Sequence, residues 1–96
     1  MAGAVDFEFD PEKSAANLAK HGIDFEAAQA LWTDDDAVEI DARSETEPRS
    51  AVIGTIEGRH WIAFVTVRTG AIRIISVRRA RQDEVEIYER QKDGDR

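Results

Sequence analysis

Five arginines fall within a stretch of fourteen residues, 68–81, that contains no Asp or Glu. They are Arg68, Arg73, Arg78, Arg79 and Arg81. A guanidinium can bind a phosphate through two parallel hydrogen bonds, and an arginine at a strand end can present that group at the rim of a buried sheet. The same arginines could instead pair with acids such as Glu84 and Glu86 in the next helical segment, so phosphate binding and surface ion pairing both stay open.

A second set of polar residues recurs at spacings of three and four in "PEKSAANLAKH". This spacing places Lys13, Asn17, Lys20 and His21 on one polar stripe of a helix. The adjoining buried stripe is expected to consist of Ala15, Leu18 and Ala19. The polar stripe is therefore a candidate binding surface.

The elements that must position these groups predict one α+β domain over residues 1–96. "VDFEF" alternates apolar and acidic residues like a strand, and helices are expected over 10–22, 24–32 and 82–91. Strand-like runs cover residues 37–41, 50–56, 60–67 and 71–77. The short connections "EGR" and "RTG" predict an antiparallel four-stranded sheet, and whether the short first strand joins it stays open.

Strict alternation along the last strand assigns its side chains to two faces. One face is expected to hold Ile72, Ile74, Ser76 and then Arg78. The other is expected to hold Arg73, Ile75, Val77 and Arg79. Because Arg78 and Arg79 then point in opposite directions, we expect one to bind phosphate and the other to be structural.

The composition limits the class of protein. The chain has a net charge of −7, but residues 1–47 carry −10 and residues 48–82 carry +6, which favours a basic face for an anionic partner. The absence of cysteine excludes disulfides and thiolate metal sites. No secretory leader or membrane-spanning segment is expected, so the predicted location is cytoplasmic, without contact to a membrane.

Consecutive acids at Asp34, Asp35 and Asp36 raise the question of a metal site. Magnesium nucleases need carboxylates that converge from separate elements, whereas three acids in a row after a helix are usually a solvated loop. We therefore predict no metal and no cofactor.

The segments "FDPEKSAANLAKHGIDFEAA", "PRSAVIG" and "VTVRTGAIRIISVRRARQDEVEIYE" resemble the BrnT toxins of bacterial type II toxin–antitoxin systems. The resemblance covers residues 5–89 and departs at Phe9, where the family usually has Trp, and at Val77, where Ala is common. It implies a RelE-like fold, RNA cleavage that shuts down translation, and a BrnA-like antitoxin that covers the active surface and binds operator DNA.

The resemblance also matches polar positions in both halves of the chain. On the first helix these are again Lys13, Asn17, Lys20 and His21. In the second half they are Arg49, Arg68, Arg73, Ser76, Arg78, Arg79, Glu84 and Tyr88.

A ribonuclease that uses the 2′-hydroxyl of RNA as its nucleophile needs a base, an acid and cations around the phosphate, but no metal. His21 is the candidate for proton transfer, because an imidazole exchanges protons near neutral pH; alternatively, it stabilises a helix C-terminus. Lys20, Arg78 and Arg79 complete the predicted catalytic set. The residues predicted to bind substrate are Lys13, Asn17, Arg49, Arg68, Arg73, Ser76 and Tyr88. Tyr88 could equally belong to the core.

A non-catalytic alternative stays open, in which a relative of this fold binds a protein target or acts as a corepressor with its antitoxin. Convergence of His21, Lys20 and an arginine on one phosphate would favour the enzyme. A binding module needs only the basic patch.

Overall fold

The computed structural model describes residues 6–42 and 49–94, which form three helices, one 3-10 helix and five strands. In chain order these are β1 (Asp6–Glu8), α1 (Pro11–His21), α2 (Phe25–Ala28), the 3-10 helix (Gln29–Thr33), β2 (Val38–Asp41), β3 (Ser50–Ile56), β4 (Arg59–Arg68), β5 (Ala71–Arg79) and α3 (Gln82–Gly94). The predicted α+β class is confirmed. None of the helices within the described ranges is long and apolar enough to cross a membrane.

The five strands form one mixed sheet in the order β1-β5-β4-β3-β2. Strands β2 to β5 make the predicted antiparallel meander, but β1 adds a fifth strand that runs parallel to β5, with Phe7 opposite Ile72. The prediction of four antiparallel strands was therefore incomplete. The reason is that β1 pairs with the strand most distant from it in sequence, a contact that no local pattern reports.

The two hairpin turns follow the prediction. Glu57 and Gly58 have φ values of 52° and 80°, and Thr69 and Gly70 have φ values of 49° and 83°. Two consecutive residues with positive φ form the type I′ turn, whose twist matches that of the strands it joins. The turns fix the registers of β3 with β4 and of β4 with β5.

A β-bulge in β5 overturns the predicted assignment of faces. Phe64 pairs with Ser76 whereas the next residue, Val65, pairs with Ile74, so Ile75 has no partner across the strand pair. An extra residue shifts the alternation of all later side chains by one. As a result Arg73 shares a face with Ser76 and Arg78, while Ile72, Ile74, Val77 and Arg79 share the other.

Helices cover both faces of the sheet, each with its own apolar core. Strand β4 supplies Trp61, Ala63 and Val65 to the core beneath α2 and the 3-10 helix, and Ile62 to the core beneath α3. Strand β4 is therefore a central strand buried on both sides. We call the two sides the α1 face and the α3 face.

Helix α1 begins and ends where the sequence predicts, but the side chains that it buries differ from the predicted ones. Asp10 accepts a hydrogen bond from the Glu12 N–H at the N-cap, and Gly22 ends the helix at φ 83°. The buried residues are Ser14 and Asn17, whereas Ala15, Leu18 and Ala19 are exposed. The polar side chains are buried because they hydrogen-bond backbone groups; the Ser14 hydroxyl accepts from the Phe25 N–H at 2.9 Å.

The second helical segment covers the predicted length in two forms. The α-helix ends at Ala28 and the 3-10 helix continues to Thr33, so Leu31 is fully buried while Trp32 is only half-buried. The tighter 3-10 turn rotates the later side chains away from the positions an α-helix would give them.

Candidate functional site

Four of the predicted binding residues line one cavity, which we call the basic cleft. It has a volume of about 530 Å³ and is lined by Lys13, Arg49, Thr66, Arg68, Arg73 and Ile75. Four of these side chains are cationic and no carboxylate is among the described residues that line it. An oxyanion with several charges is the ligand that such a lining favours.

The sheet register explains how the cleft forms. Arg73 lies directly opposite Thr66 on the neighbouring strand, and Arg68 follows two residues later on the same face of β4. Arg49 immediately precedes β3, and its carbonyl accepts a hydrogen bond from the Ala42 N–H at 3.0 Å. The bulge at Ile75 places Arg73 on the α3 face together with these residues.

Arg73 is held by a weak ion pair. Its guanidinium lies 3.6 Å from the Glu8 carboxylate, and the two side chains are 34% and 44% exposed. Exposed pairs of this kind contribute about 0–1 kcal/mol, because water and salt screen the charges. A phosphate in the basic cleft can therefore compete with Glu8 for Arg73.

Arg78 forms an ion pair with Glu84 at the start of α3. Its guanidinium donates two hydrogen bonds, of 2.9 and 2.8 Å, to the two carboxylate oxygens of Glu84 and lies over the Phe64 ring at 5.3 Å. Glu84 also accepts from the Arg81 N–H at 2.7 Å, as one half of a capping box. The hydrogen bonds from Arg78 lower the pKa of Glu84 and raise the pKa of Arg78. Arg78 thus fastens the start of α3 to β5.

Arg79 lies on the α1 face. It is exposed, stacks over Trp61 at 5.4 Å and donates through Nε to the His60 carbonyl at 3.3 Å. Of the two adjacent arginines, it is the one without a carboxylate partner among the residues that the structure describes.

Lys20 and His21 lie in the last turn of α1, away from the basic cleft. Eight residues of helix separate His21 from Lys13, which is about 12 Å at 1.5 Å per residue. Lys20 lies seven residues after Lys13 and so on the same flank of the helix. No hydrogen bond or ion pair in the described part of the chain joins Lys20 or His21 to the residues of the cleft.

Arg79 is the predicted catalytic arginine that lies on the α1 face of the sheet. Gly22, next to His21, lines a cavity together with Trp61, and Arg79 stacks on Trp61. We call Lys20, His21 and Arg79 the helix-end group. The predicted binding cations therefore line the cleft, whereas the predicted catalytic residues are divided: Lys20 and His21 end α1, Arg79 lies on the α1 face, and Arg78 pairs with Glu84.

Asn17 does not lie on an exposed polar stripe. It is 7% exposed, its side-chain amide donates to the Ile23 and Val77 carbonyls at 2.8 and 2.9 Å, and its oxygen accepts from the Val77 N–H at 3.1 Å. The side chain thus takes the place of a neighbouring strand beside β5, beyond the end of β1. These contacts leave it unavailable to a substrate, contrary to the prediction.

Tyr88 is a core residue, the alternative that the sequence left open. It is 2% exposed, and its hydroxyl donates to Asp34 at 2.8 Å. Burial and this hydrogen bond raise the pKa of Tyr88 to about 12. Its predicted contact with substrate is therefore incompatible with this structure.

Asp34 is a structural carboxylate that the sequence did not reveal. It accepts hydrogen bonds from the Thr55 N–H at 2.8 Å and the Thr55 hydroxyl at 3.0 Å, besides that from Tyr88. Burial opposes its ionisation, but the hydrogen bonds outweigh burial and lower the pKa of Asp34. It joins the 3-10 helix, β3 and α3 at the point where β2 no longer covers β3.

Ser76 and the acidic residues complete the survey of predicted positions. Ser76 is half-buried on the α3 face, opposite Phe64 and on the same side as Arg73 and Arg78. Across residues 6–42 and 49–94, no three His, Asp or Glu side chains come together as a metal-binding group.

Comparison with known proteins gives one family. The sequence model described as "Ribonuclease toxin, BrnT, of type II toxin-antitoxin system" matches residues 9–84, which include every residue of the basic cleft and of the helix-end group. No match was found among curated proteins. Because the match extends over most of the chain, the protein belongs to the BrnT family of ribonuclease toxins of type II toxin–antitoxin systems.

Proposed function

We propose that this chain is a metal-independent endoribonuclease that cleaves RNA through attack of the 2′-hydroxyl and thereby inhibits translation. The observation that carries the proposal is the basic cleft, in which Lys13, Arg49, Arg68 and Arg73 surround one cavity with no carboxylate among its described lining residues. Phosphates of an RNA strand supply the negative charge that this arrangement favours. We also propose that the domain has a RelE-like fold.

The reaction needs three contributions from the protein. The 2′-oxygen forms a bond to phosphorus while the bond from phosphorus to the 5′-oxygen breaks, which leaves a 2′,3′-cyclic phosphate and a free 5′-hydroxyl. One group takes the proton of the 2′-hydroxyl, another gives a proton to the 5′-oxygen, and cations offset the charge that accumulates on the phosphate.

The two groups of residues divide these tasks. The basic cleft binds the phosphates that flank the cleaved bond, while His21 transfers protons and Lys20 and Arg79 stabilise charge at the reacting phosphate. From Arg73 to Arg79 the strand covers six residues, about 20 Å, so an extended RNA with several phosphates is needed to reach both groups. Substrates of one or two nucleotides are expected to be poor.

Steady-state cleavage of a single-stranded RNA in excess EDTA tests this division. Arg73→Gln should raise KM about tenfold or more with little change in kcat, because it removes binding common to the ground and transition states. His21→Gln should lower kcat about 100-fold or more, the usual range for loss of a proton-transfer group. Arg90→Gln, an exposed arginine of α3, serves as the matched control.

Two results would contradict the division. Wild-type activity in His21→Gln would remove His21 from the chemistry, and a fall in kcat alone for Arg73→Gln would place the reacting phosphate in the basic cleft.

The family also implies an antitoxin partner. We propose that a BrnA-like antitoxin inhibits the enzyme in the cytoplasm and that the complex contacts operator DNA only through the antitoxin. The net charge of −7 favours this division, because it opposes binding of DNA outside the basic cleft.

A second candidate function follows from the separation of His21 from the basic cleft. A non-catalytic module that binds a protein target, or acts as a corepressor with its antitoxin, needs no convergence of these groups. Intact RNA after incubation with the folded, antitoxin-free wild type would favour this candidate.

A further inference from the structure

The α1 face carries an apolar groove whose described lining residues belong neither to the basic cleft nor to the helix-end group. Its main cavity has a volume of about 590 Å³, and its apolar lining consists of Leu18, Ile23, Ala27, Ile56 and Trp61. A smaller cavity of about 240 Å³ also includes Leu18 and adds Phe9, Pro11 and Ala15. We refer to the two together as the α1 groove.

Leu18 is the central feature of this groove. It lines both cavities and is 49% exposed, one of only two large apolar side chains that are exposed in the described ranges. An exposed leucine over an apolar floor indicates a binding surface more strongly than a lone surface leucine does. The floor is well packed, since Ile23 and Trp61 are 6% and 8% exposed.

The charged residues around the groove indicate the chemistry of its occupant. Asp24, Glu26 and Glu57 line the two cavities, against Arg59 as the one cation among the described lining residues. Asp24 also caps α2, since its carboxylate accepts a hydrogen bond from the Ala27 N–H at 2.8 Å. Negative charge around an apolar centre is complementary to an apolar side chain flanked by Lys or Arg.

We propose that the α1 groove binds a segment of the antitoxin in which an apolar side chain contacts Leu18 and flanking basic residues contact Glu26 and Glu57. This inference rests on the antitoxin partnership of the proposed function. Gly22 lines the groove beside His21, and Arg79 stacks on Trp61 of its floor. A segment seated there blocks access to the helix-end group while the basic cleft on the α3 face stays open.

The test measures the affinity of the purified antitoxin for variants of this chain by calorimetry at two salt concentrations. Leu18→Ser should weaken binding about tenfold or more, the loss expected when a leucine no longer becomes buried. Val67→Ser, at the other exposed apolar side chain, lies outside the groove and should bind like the wild type.

The charge of the rim is tested separately. The double variant Glu26→Gln with Glu57→Gln should bind more weakly at low salt and show a smaller loss of affinity when salt is raised. Glu86→Gln, an exposed acid of α3, is its matched control. Circular dichroism of each variant establishes that it is folded.

Three outcomes would overturn the inference. One is an antitoxin affinity of Leu18→Ser within about twofold of the wild type. Another is an unchanged salt dependence in the double variant. The third is a wild-type dimer that Leu18→Ser converts to a monomer without loss of antitoxin affinity, which would assign the groove to a second copy of the chain. RNA cleavage by the free chain is a separate readout, so failure of the ribonuclease proposal would leave these results unaffected.

Discussion

The substitution Asn17→Ala distinguishes a structural residue from a substrate-binding one. In the folded protein the Asn17 amide makes three hydrogen bonds, to the Ile23 carbonyl and to both backbone groups of Val77. Alanine removes all three and leaves those backbone groups without this partner beside a strand whose Val77 side chain is fully buried.

The magnitude follows from these contacts. Each hydrogen bond contributes about 1 kcal/mol net, and a buried group left unpaired costs about 1–3 kcal/mol. Three contacts therefore give a loss of about 3 kcal/mol in the free energy of unfolding. Domains of this size lose roughly 4–8 °C in Tm for each kcal/mol, so Tm should fall by roughly 12–24 °C.

Urea denaturation followed by tryptophan fluorescence measures this loss, with Lys20→Ala as the control on the exposed flank of the same helix. We expect Lys20→Ala to change stability by less than about 0.5 kcal/mol. RNA affinity of Asn17→Ala, measured where the variant is fully folded, should equal that of the wild type. A loss of stability below about 1 kcal/mol together with weaker RNA binding would refute the structural assignment of Asn17.

Two other contacts give measurable predictions. A double-mutant cycle of Arg78→Gln and Glu84→Gln should yield a coupling of about 1.5–3 kcal/mol at neutral pH, because the ion pair is bidentate and partly buried. The hydrogen bonds from Arg78 lower the pKa of Glu84 below its ordinary value of 4.5. The stabilisation is therefore complete above pH 4.5 and should disappear as the pH falls through the lower pKa of the folded state. A coupling energy that is unchanged in acid would contradict this prediction. Tyr88 is the sole tyrosine, so its ionisation can be followed by near-ultraviolet absorbance and should occur near pH 12 in the folded protein instead of pH 10.0. Since the pKa of Tyr88 is raised in the folded protein, the stability from its hydrogen bond to Asp34 is complete below pH 10.0 and lost as the pH rises through about 12. Ionisation of Tyr88 near pH 10.0 in the folded protein would contradict the burial of its hydroxyl.

Much of the fold follows from local sequence signals. Asp10 and Gly22 delimit α1, and the pairs Glu57-Gly58 and Thr69-Gly70 form the two hairpin turns. Each of these features depends on the conformation of a few adjacent residues, which local sequence governs.

The features that the sequence did not predict depend on distant partners. The bulge at Ile75 changes the face of every later side chain in β5, and the two consecutive Ile residues in "RIIS" do not distinguish a bulge from a strand buried on both faces. Asn17 is buried because β1 ends and leaves Val77 in need of a hydrogen-bonding partner. Leu18 is exposed for the related reason that the buried side of α1 is its polar one.

The candidate site was predicted in composition more than in arrangement. Four cations selected from spacing, charge and family resemblance do line the basic cleft. The ion pair of Arg78 with Glu84 and the separation of His21 from the cleft could not be read from residue types, because both depend on where α3 and the end of α1 lie against the sheet.

The most direct measurement compares two RNA strands of identical sequence, incubated with the antitoxin-free protein in excess EDTA. One is entirely ribose and the other carries a single 2′-deoxy nucleotide immediately 5′ of the bond that the wild type cleaves. We expect cleavage of the first strand to give a 2′,3′-cyclic phosphate at that bond, and none at the same bond in the second. Equal cleavage of both strands, or cleavage of the first strand only in a parallel incubation without EDTA, would contradict the proposed reaction.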